Sequence, residues 1–314
     1  MLTQLRTISF ILSKHYKKNM EKVTLKNLSP QGHPLEASFL PEKGMNLCSY
    51  KLGEIEVIDQ ETIPLFENRC AGLGALIGPH FHHRKEISGG FDESLFPHIA
   101  RVKAKGTKEP FSHGIARYVP WNFTHSSTQI QATLRGTDLH RGVPLKVFEG
   151  QDFVMHFNAR LLPDGLFIDY SIESEKPSVL GLHYYYAFSG KGALHGAVQN
   201  TYRDQEKWKS LPSEWVQGKE NHLHFLLPQK ADFGFLPSKK ASTDHDYHLN
   251  LDTPTYSLHI DYNTASDTEI SCQIFHPEGA SYVCVEPLTA RFPPKPRLTQ
   301  NTLEVKLSLF PPLG

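Results

Sequence analysis

Four stretches of this chain depart from ordinary strand-and-turn text, and each gathers side chains that can move protons or hold polar ligands. His113-Gly-Ile-Ala-Arg117 sets an imidazole and a guanidinium on either side of a glycine. The glycine lets the backbone pass close to a ligand, while His113 and Arg117 can donate hydrogen bonds to hydroxyl or phosphoryl oxygens. Leu182-His-Tyr-Tyr-Tyr-Ala-Phe188 reads as an extended strand, on which His183, Tyr185 and Ala187 share one face. Tyr282-Val-Cys-Val-Glu-Pro287 puts a carboxylate, Glu286, at the end of an apolar strand stopped by proline. A charge there is unusual unless the side chain faces a cleft. The fourth stretch, Gly72-Leu-Gly-Ala-Leu-Ile-Gly-Pro-His-Phe-His-His-Arg84, is rich in glycine and then in His and Arg. It lacks the spacing of a dinucleotide or phosphate-binding loop. Its histidines at 80, 82 and 83 have no downstream partner at diagnostic spacing, so no metal is expected. Each stretch also has a bland reading, as a hydrogen-bonded core histidine or a solvated strand end.

These residues must be held by strands. Gln129-Ile-Gln-Ala-Thr-Leu-Arg, Phe153-Val-Met-His-Phe-Asn-Ala-Arg-Leu, Leu166-Phe-Ile-Asp-Tyr-Ser-Ile, Tyr256-Ser-Leu-His-Ile-Asp-Tyr and Glu269-Ile-Ser-Cys-Gln-Ile-Phe all alternate with period two, as does the run 301–309. Leu145-Lys-Val-Phe is read the same way. Such alternation, rich in β-branched and aromatic residues, predicts half-buried antiparallel strands. Pro163-Asp164-Gly165 predicts a turn between two of them. Helical signals are few, and the polar run 201–209 before Pro212 predicts a short helix. With no repeat, low-complexity tract or linker, 20–314 is expected to form a single large β-sandwich domain, preceded by a loosely ordered extension at 1–19.

Composition narrows the function. Lys plus Arg equals Asp plus Glu at 33 each, so there is no basic excess of the kind that nucleic-acid binders carry. The single weakly apolar run near the start, Ile8-Ser-Phe-Ile-Leu12, is too short to span a membrane and lacks a cleavage site. The four cysteines, Cys48, Cys70, Cys272 and Cys284, stand far apart, which predicts reduced thiols and a cytoplasmic location. The chain also has 18 histidines, 19 Phe, 12 Tyr and 3 Trp. Aromatic faces stack on the C–H faces of sugars, and histidine moves protons near neutral pH.

Taken in order, His113-Gly-Ile-Ala-Arg117, Leu182-His-Tyr-Tyr-Tyr-Ala-Phe188 and Val283-Cys-Val-Glu-Pro287 resemble three signature segments of the aldose 1-epimerase (galactose mutarotase-like) family. Pro79-His-Phe-His-His-Arg84 looks like that family's Pro-x-x-Asn-Arg segment, with His83 in place of the Asn. Thr243-Asp244-His245 resembles its sugar-binding Asp-His stretch, although Asp246 would point to the same strand face. The strand at His183 departs from the family pattern, with Tyr where a Phe followed by Asn is familiar, and the HGIAR form resembles bacterial relatives, including the hexose-6-phosphate epimerase branch, more than the galactose mutarotases.

The resemblance implies a galactose mutarotase-like supersandwich that interconverts the α and β anomers of a hexose or hexose 6-phosphate, without cofactor. Glu286 would remove the proton of the C1 hydroxyl and His183 would protonate the ring oxygen. His113, Asp244, Arg84 and Arg117 would bind the sugar, with Trp121, Tyr185 and Phe188 as candidate stacking surfaces. The pair is then expected on one open cleft, its functional atoms a pyranose edge apart, with Arg84 and Asp244 on the rim. A non-catalytic carbohydrate-binding protein on the same sandwich is the alternative. A lyase or glycosidase comes third, since hydrolysis needs two carboxylates flanking the bond.

Overall fold

Apolar and polar residues alternate along the chain, and the backbone answers with two layers of antiparallel strands. The computed structural model describes residues 21–81, 92–104, 111–217, 222–227, 230–239 and 247–312. The expected extension at 1–19, Arg84, Asp244 and Asp246 lie outside the described residues.

The first layer runs Val23–Leu28, Pro34–Leu40, Asn46–Leu52, Gly74–Ile77, Gly181–Ala187, Tyr282–Leu288, Ser271–His276 and Ala231–Pro237, each paired with the next. The second runs Asn122–His125, Gln129–Arg135, Phe153–Leu162, Gly165–Ser174, Gln300–Phe310, Ser257–Thr264 and Tyr247–Asp252. The long strand Ala193–Asp204 joins them. Its residues 193–196 pair with Tyr247–Asp252, and its later residues pair with Ala231–Pro237. The molecule is thus the expected antiparallel β-sandwich.

Between the layers lies the core. Phe39 and Phe157 meet edge to face, with ring centres 5.9 Å apart. Tyr50 donates its hydroxyl hydrogen across the sandwich to Leu307 O (2.8 Å), and Tyr256 donates to Ala187 O (2.6 Å). These bonds satisfy phenols that would otherwise be buried without a partner.

Most of the expected strands form, including the Phe153–Leu162 and Gly165–Ser174 hairpin around Pro163-Asp164. Three expectations fail for identifiable reasons. Leu145–Glu149 is a helix, because Leu145 and Phe148 at helical spacing are buried while Val147 is 48% exposed. Four residues are too few to tell period two from period 3.6. Residues 201–209 are not helical: the strand Lys207–Ser210 folds back on the end of Ala193–Asp204, with Arg203 opposite Trp208. That polar run has no apolar stripe to bury as a helix, but as an edge hairpin it gains ladder hydrogen bonds. Finally, Pro287 does not stop its strand, which runs on to Leu288 with Pro287 opposite Cys272.

Candidate functional site

Gly181–Ala187 lies beside Tyr282–Leu288 in the first layer, with Gly181 opposite Leu288 and Tyr185 opposite Cys284. That register sets His183 across from Glu286 on one face of the sheet, with Tyr185 and Cys284 two residues along. His183 Nε2 and Glu286 Oε1 are 3.3 Å apart, and the residues are 6% and 1% exposed. His183 Nδ1 and Glu286 Oε2 are buried with no hydrogen-bond partner among the described residues. The pair lies in a cleft of about 660 Å³, also lined by Arg69, His113, Arg117, Arg203, Asp232 and Gln273.

Burial dominates the electrostatics. It holds the His183 imidazole well below its ordinary value, and the positive charge of Arg117 presses in the same direction. Burial pushes the Glu286 carboxyl up to about 8, opposed by Arg117 and Arg203 and reinforced by Asp232. Taking charge out of water favours the uncharged form of both groups, so at neutral pH the unliganded pair carries its proton on Glu286 beside a neutral imidazole. The pair can release one proton and take up one proton at neighbouring points, as paired acid–base catalysis requires.

The loop bearing His113 crosses this floor under constraint. His113 itself has φ 66° and Gly114 has φ 85°. A Cβ at Gly114 would stand 2.0 Å from Gly78 O, so only glycine fits where the loop passes under the preceding strand. Gly78 N–H donates to His113 O (2.9 Å), and Ala116 N–H donates to Gly78 O (3.2 Å). The ring of His113 comes within 5.0 Å of that of His183. His80 closes the arrangement from behind. Its Nδ1 is 2.6 Å from Glu149 Oε1 and its Nε2 3.0 Å from Phe111 O, while Ile115 N–H donates to Glu149 Oε2 (3.3 Å). His80, read from sequence as part of a histidine cluster, is therefore a buried clamp on the loop.

Arg117 is buried beneath the pair. Its Nε donates to Leu76 O (3.0 Å), and its Nη2 has no partner among the described residues. Tyr185 stacks on His183, with ring centres 4.9 Å apart and planes 22° apart. The two other candidate stacking surfaces are elsewhere. Trp121, 3% exposed, sits between the layers against Phe157 and Tyr170, its indole N–H given to Ala116 O (2.9 Å). Phe188 is buried edge-on to His276. Both rings complete the hydrophobic core, which removes far more apolar area from water than a cleft wall would.

Besides Arg69, a connected row of cleft residues escaped the sequence reading. Arg203 Nη2 donates to Gln273 Oε1 (2.6 Å), and Gln273 Nε2 donates to Asp232 Oδ1 (2.9 Å). Gln273 stands directly opposite Glu286. Gly234 leaves the room, since a Cβ there would be 2.9 Å from both Arg203 Nη2 and Gln273 Oε1. Period-two alternation made Gln273 an ordinary polar position of its strand, so it did not stand out, and nothing local marked Arg203.

Cys284 adds a thiol, so that donor atoms of His183, Cys284 and Glu286 lie within 4.8 Å of one another. Burial raises the Cys284 thiol well above its ordinary value, as it does the Glu286 carboxyl. A cation would have to displace both protons, and the donors fit proton transfer better than metal binding.

No protein-family model matches the sequence, and no curated protein does. Solved structures match nearly end to end. A galactose mutarotase-like protein from Lactobacillus casei is 16% identical with a TM-score of 0.64, covering 92% of this chain and 100% of that one. An aldose epimerase homologue from C. elegans is 14% identical with a TM-score of 0.62, covering 93% and 100%. A galactose 1-epimerase from Lactobacillus acidophilus is 11% identical with a TM-score of 0.52, covering 94% and 100%. The chain therefore has the galactose mutarotase-like fold.

Proposed function

We propose that the chain is an aldose 1-epimerase-type isomerase that interconverts the anomers of a hexose or hexose 6-phosphate. The observation that carries this reading is the buried His183–Glu286 pair, 3.3 Å apart on the cleft floor, each with a polar atom that has no partner among the described residues. The two groups stand closer than the pyranose edge expected from sequence. The chemistry accommodates this, because the C1 hydroxyl and the ring oxygen are carried by the same carbon. Once the sugar is bound, the pair's single proton passes from Glu286 to His183. Glu286 then takes the hydroxyl proton while His183 supplies one to the ring oxygen, the ring opens, the C1 carbonyl turns, and the steps reverse. Each partner acts at one oxygen, and each can contribute roughly 10²–10⁴-fold.

His113 and Arg117 donate to sugar oxygens from the loop side. Across the cleft, Arg203, Gln273 and Asp232 present a connected row of donors and acceptors. Tyr185 fixes the plane of the His183 ring. The arginines at 69, 117 and 203 also suit an anionic substituent, which keeps a phosphorylated hexose in the reading.

Interconversion of the anomers of glucose, galactose and glucose 6-phosphate should be followed by polarimetry or NMR, with wild type and Glu286→Gln compared. Acceleration by the wild type that falls at least a hundredfold in the variant is expected. A sugar that binds without acceleration would turn the reading to a carbohydrate-binding protein on the same sandwich.

A further inference from the structure

Away from the cleft, the outward side of the second layer carries a histidine cluster that the proposed reaction does not use. Inward positions of three neighbouring strands are apolar and buried: Leu194 in Ala193–Asp204, Leu223 and Phe225 in His222–Leu226, and Leu249 and Leu251 in Tyr247–Asp252. The alternate positions, His195, His222, His224, Asn250 and Asp252, therefore share the opposite face. His195 stands directly opposite His224 on one side and Asn250 on the other.

The side chains converge. His195 Nδ1 and His224 Nδ1 are 3.0 Å apart. On the far side of its ring, His195 Nε2 is 3.5 Å from Asp252 Oδ2. Asp252 is itself held by the Ser257 hydroxyl, which donates to its Oδ1 (2.5 Å). His222, two residues before His224 and exposed, brings its ring to 6.4 Å from that of His195. Beside them, Asn250 Oδ1 is shielded from solvent without a hydrogen-bond partner among the described residues.

We propose that His195, His224 and His222 form a binding site for a late first-row divalent cation such as zinc, with Asp252 orienting His195. Imidazole nitrogens that share a tetrahedral ion at about 2.0–2.1 Å stand roughly 3.3 Å apart, so the two Nδ1 atoms, 3.0 Å apart, need to open by only a few tenths of an ångström. Without metal, one Nδ1 proton lies between them. The ion takes its place: His195 keeps its ring proton on Nε2 toward Asp252, and His224 carries its own on Nε2. A ligating histidine whose other nitrogen faces a carboxylate is the usual orientation in such centres. His222 and His224, two apart on a strand, reach the same side and complete a three-nitrogen set by rotation of the exposed His222. Solvent fills the fourth position. All-imidazole donors select zinc, copper or nickel over magnesium or calcium. The bound ion would tie the strand His222–Leu226 to Ala193–Asp204, and so stabilise the folded state.

The test is titration of ZnCl₂ into the full chain, free of any polyhistidine tag, by calorimetry and by competition with a zinc-sensitive dye, with Tm recorded. One saturable ion per chain is expected, with a rise in Tm. His195→Ala and His224→Ala should each weaken binding at least tenfold, and Asp252→Asn should weaken it about 10–100-fold. In all three variants the metal-free Tm should stay close to wild type. Cys284→Ser should bind zinc as wild type does. Absence of saturable binding to the wild type overturns the proposal. So does one equivalent retained at unchanged affinity in the His195→Ala/His224→Ala double variant, or lost in Cys284→Ser.

Discussion

Two side chains on adjacent strands share a proton whose position is set by burial. Because the folded state raises Glu286 to about 8 and lowers His183, the pair keeps one transferable proton and one vacant acceptor from well below the ordinary histidine range up to about pH 8. An isomerase that needs both roles at once should therefore show a plateau in kcat/KM that falls as pH rises through about 8. Its acid limb should lie below the ordinary histidine value. Measurement over pH 5–10, after subtraction of the spontaneous reaction, checks this; a rate that climbs through pH 8 would show Glu286 acting as a lone base. Stability follows the same group. A folded-state value raised above the unfolded one gives a contribution that is present below about pH 4.5 and lost as pH rises through about 8. Glu286→Gln, which cannot ionise, should thus raise Tm relative to wild type at pH 9, and leave it nearly unchanged at pH 5. Both residues were legible in sequence, because a histidine and a carboxylate inside apolar strands are costly without a purpose. Their separation was not, since it depends on how two strands remote in the chain align.

The next scale is the loop from Phe111 to Ile115, which has to hold His113 in a left-handed conformation beneath a strand. His80 and Glu149 grip its two ends from remote elements. Removal of one partner from such a buried hydrogen-bonded pair leaves the other's polar atom unsatisfied and costs about 1–3 kcal/mol. Glu149→Leu should lower Tm accordingly and raise KM for the sugar, since His113 loses its support. Glu149→Gln, which retains an acceptor for Ile115 N–H, should recover part of KM. Denaturant melts and steady-state kinetics of the two variants separate these effects. The glycine of the His-Gly pair was readable as a close approach, and the structure supplies the object approached, Gly78 O. Glu149 was not readable, because it ends a five-residue helix that the alternation of Leu145 to Phe148 disguised as a strand.

At the scale of the molecule, the two layers are held by aromatic residues that sequence alone could assign equally to core or to ligand. Trp121 lies with Phe157 and Tyr170 at the interface of the layers, away from the cleft. Trp121→Ala should cost about 3–5 kcal/mol of stability. Trp121→Phe should cost less and leave KM for the sugar unchanged; a KM that rose with Tm intact would return the residue to the binding surface. By itself the sequence determined the class of fold, most of its strands and the chemical types at the cleft floor. Those properties are local: period-two alternation, turn residues, and polar groups set where burial penalises them. Tertiary structure alone decided that His183 faces Glu286 at hydrogen-bonding distance, that Arg203, Gln273 and Asp232 join them, and that Trp121 does not. It also set His195 against His224, on strands nearly thirty residues apart in the chain. Register between distant strands is fixed by the packing of the whole apolar face, and no window of sequence contains that information.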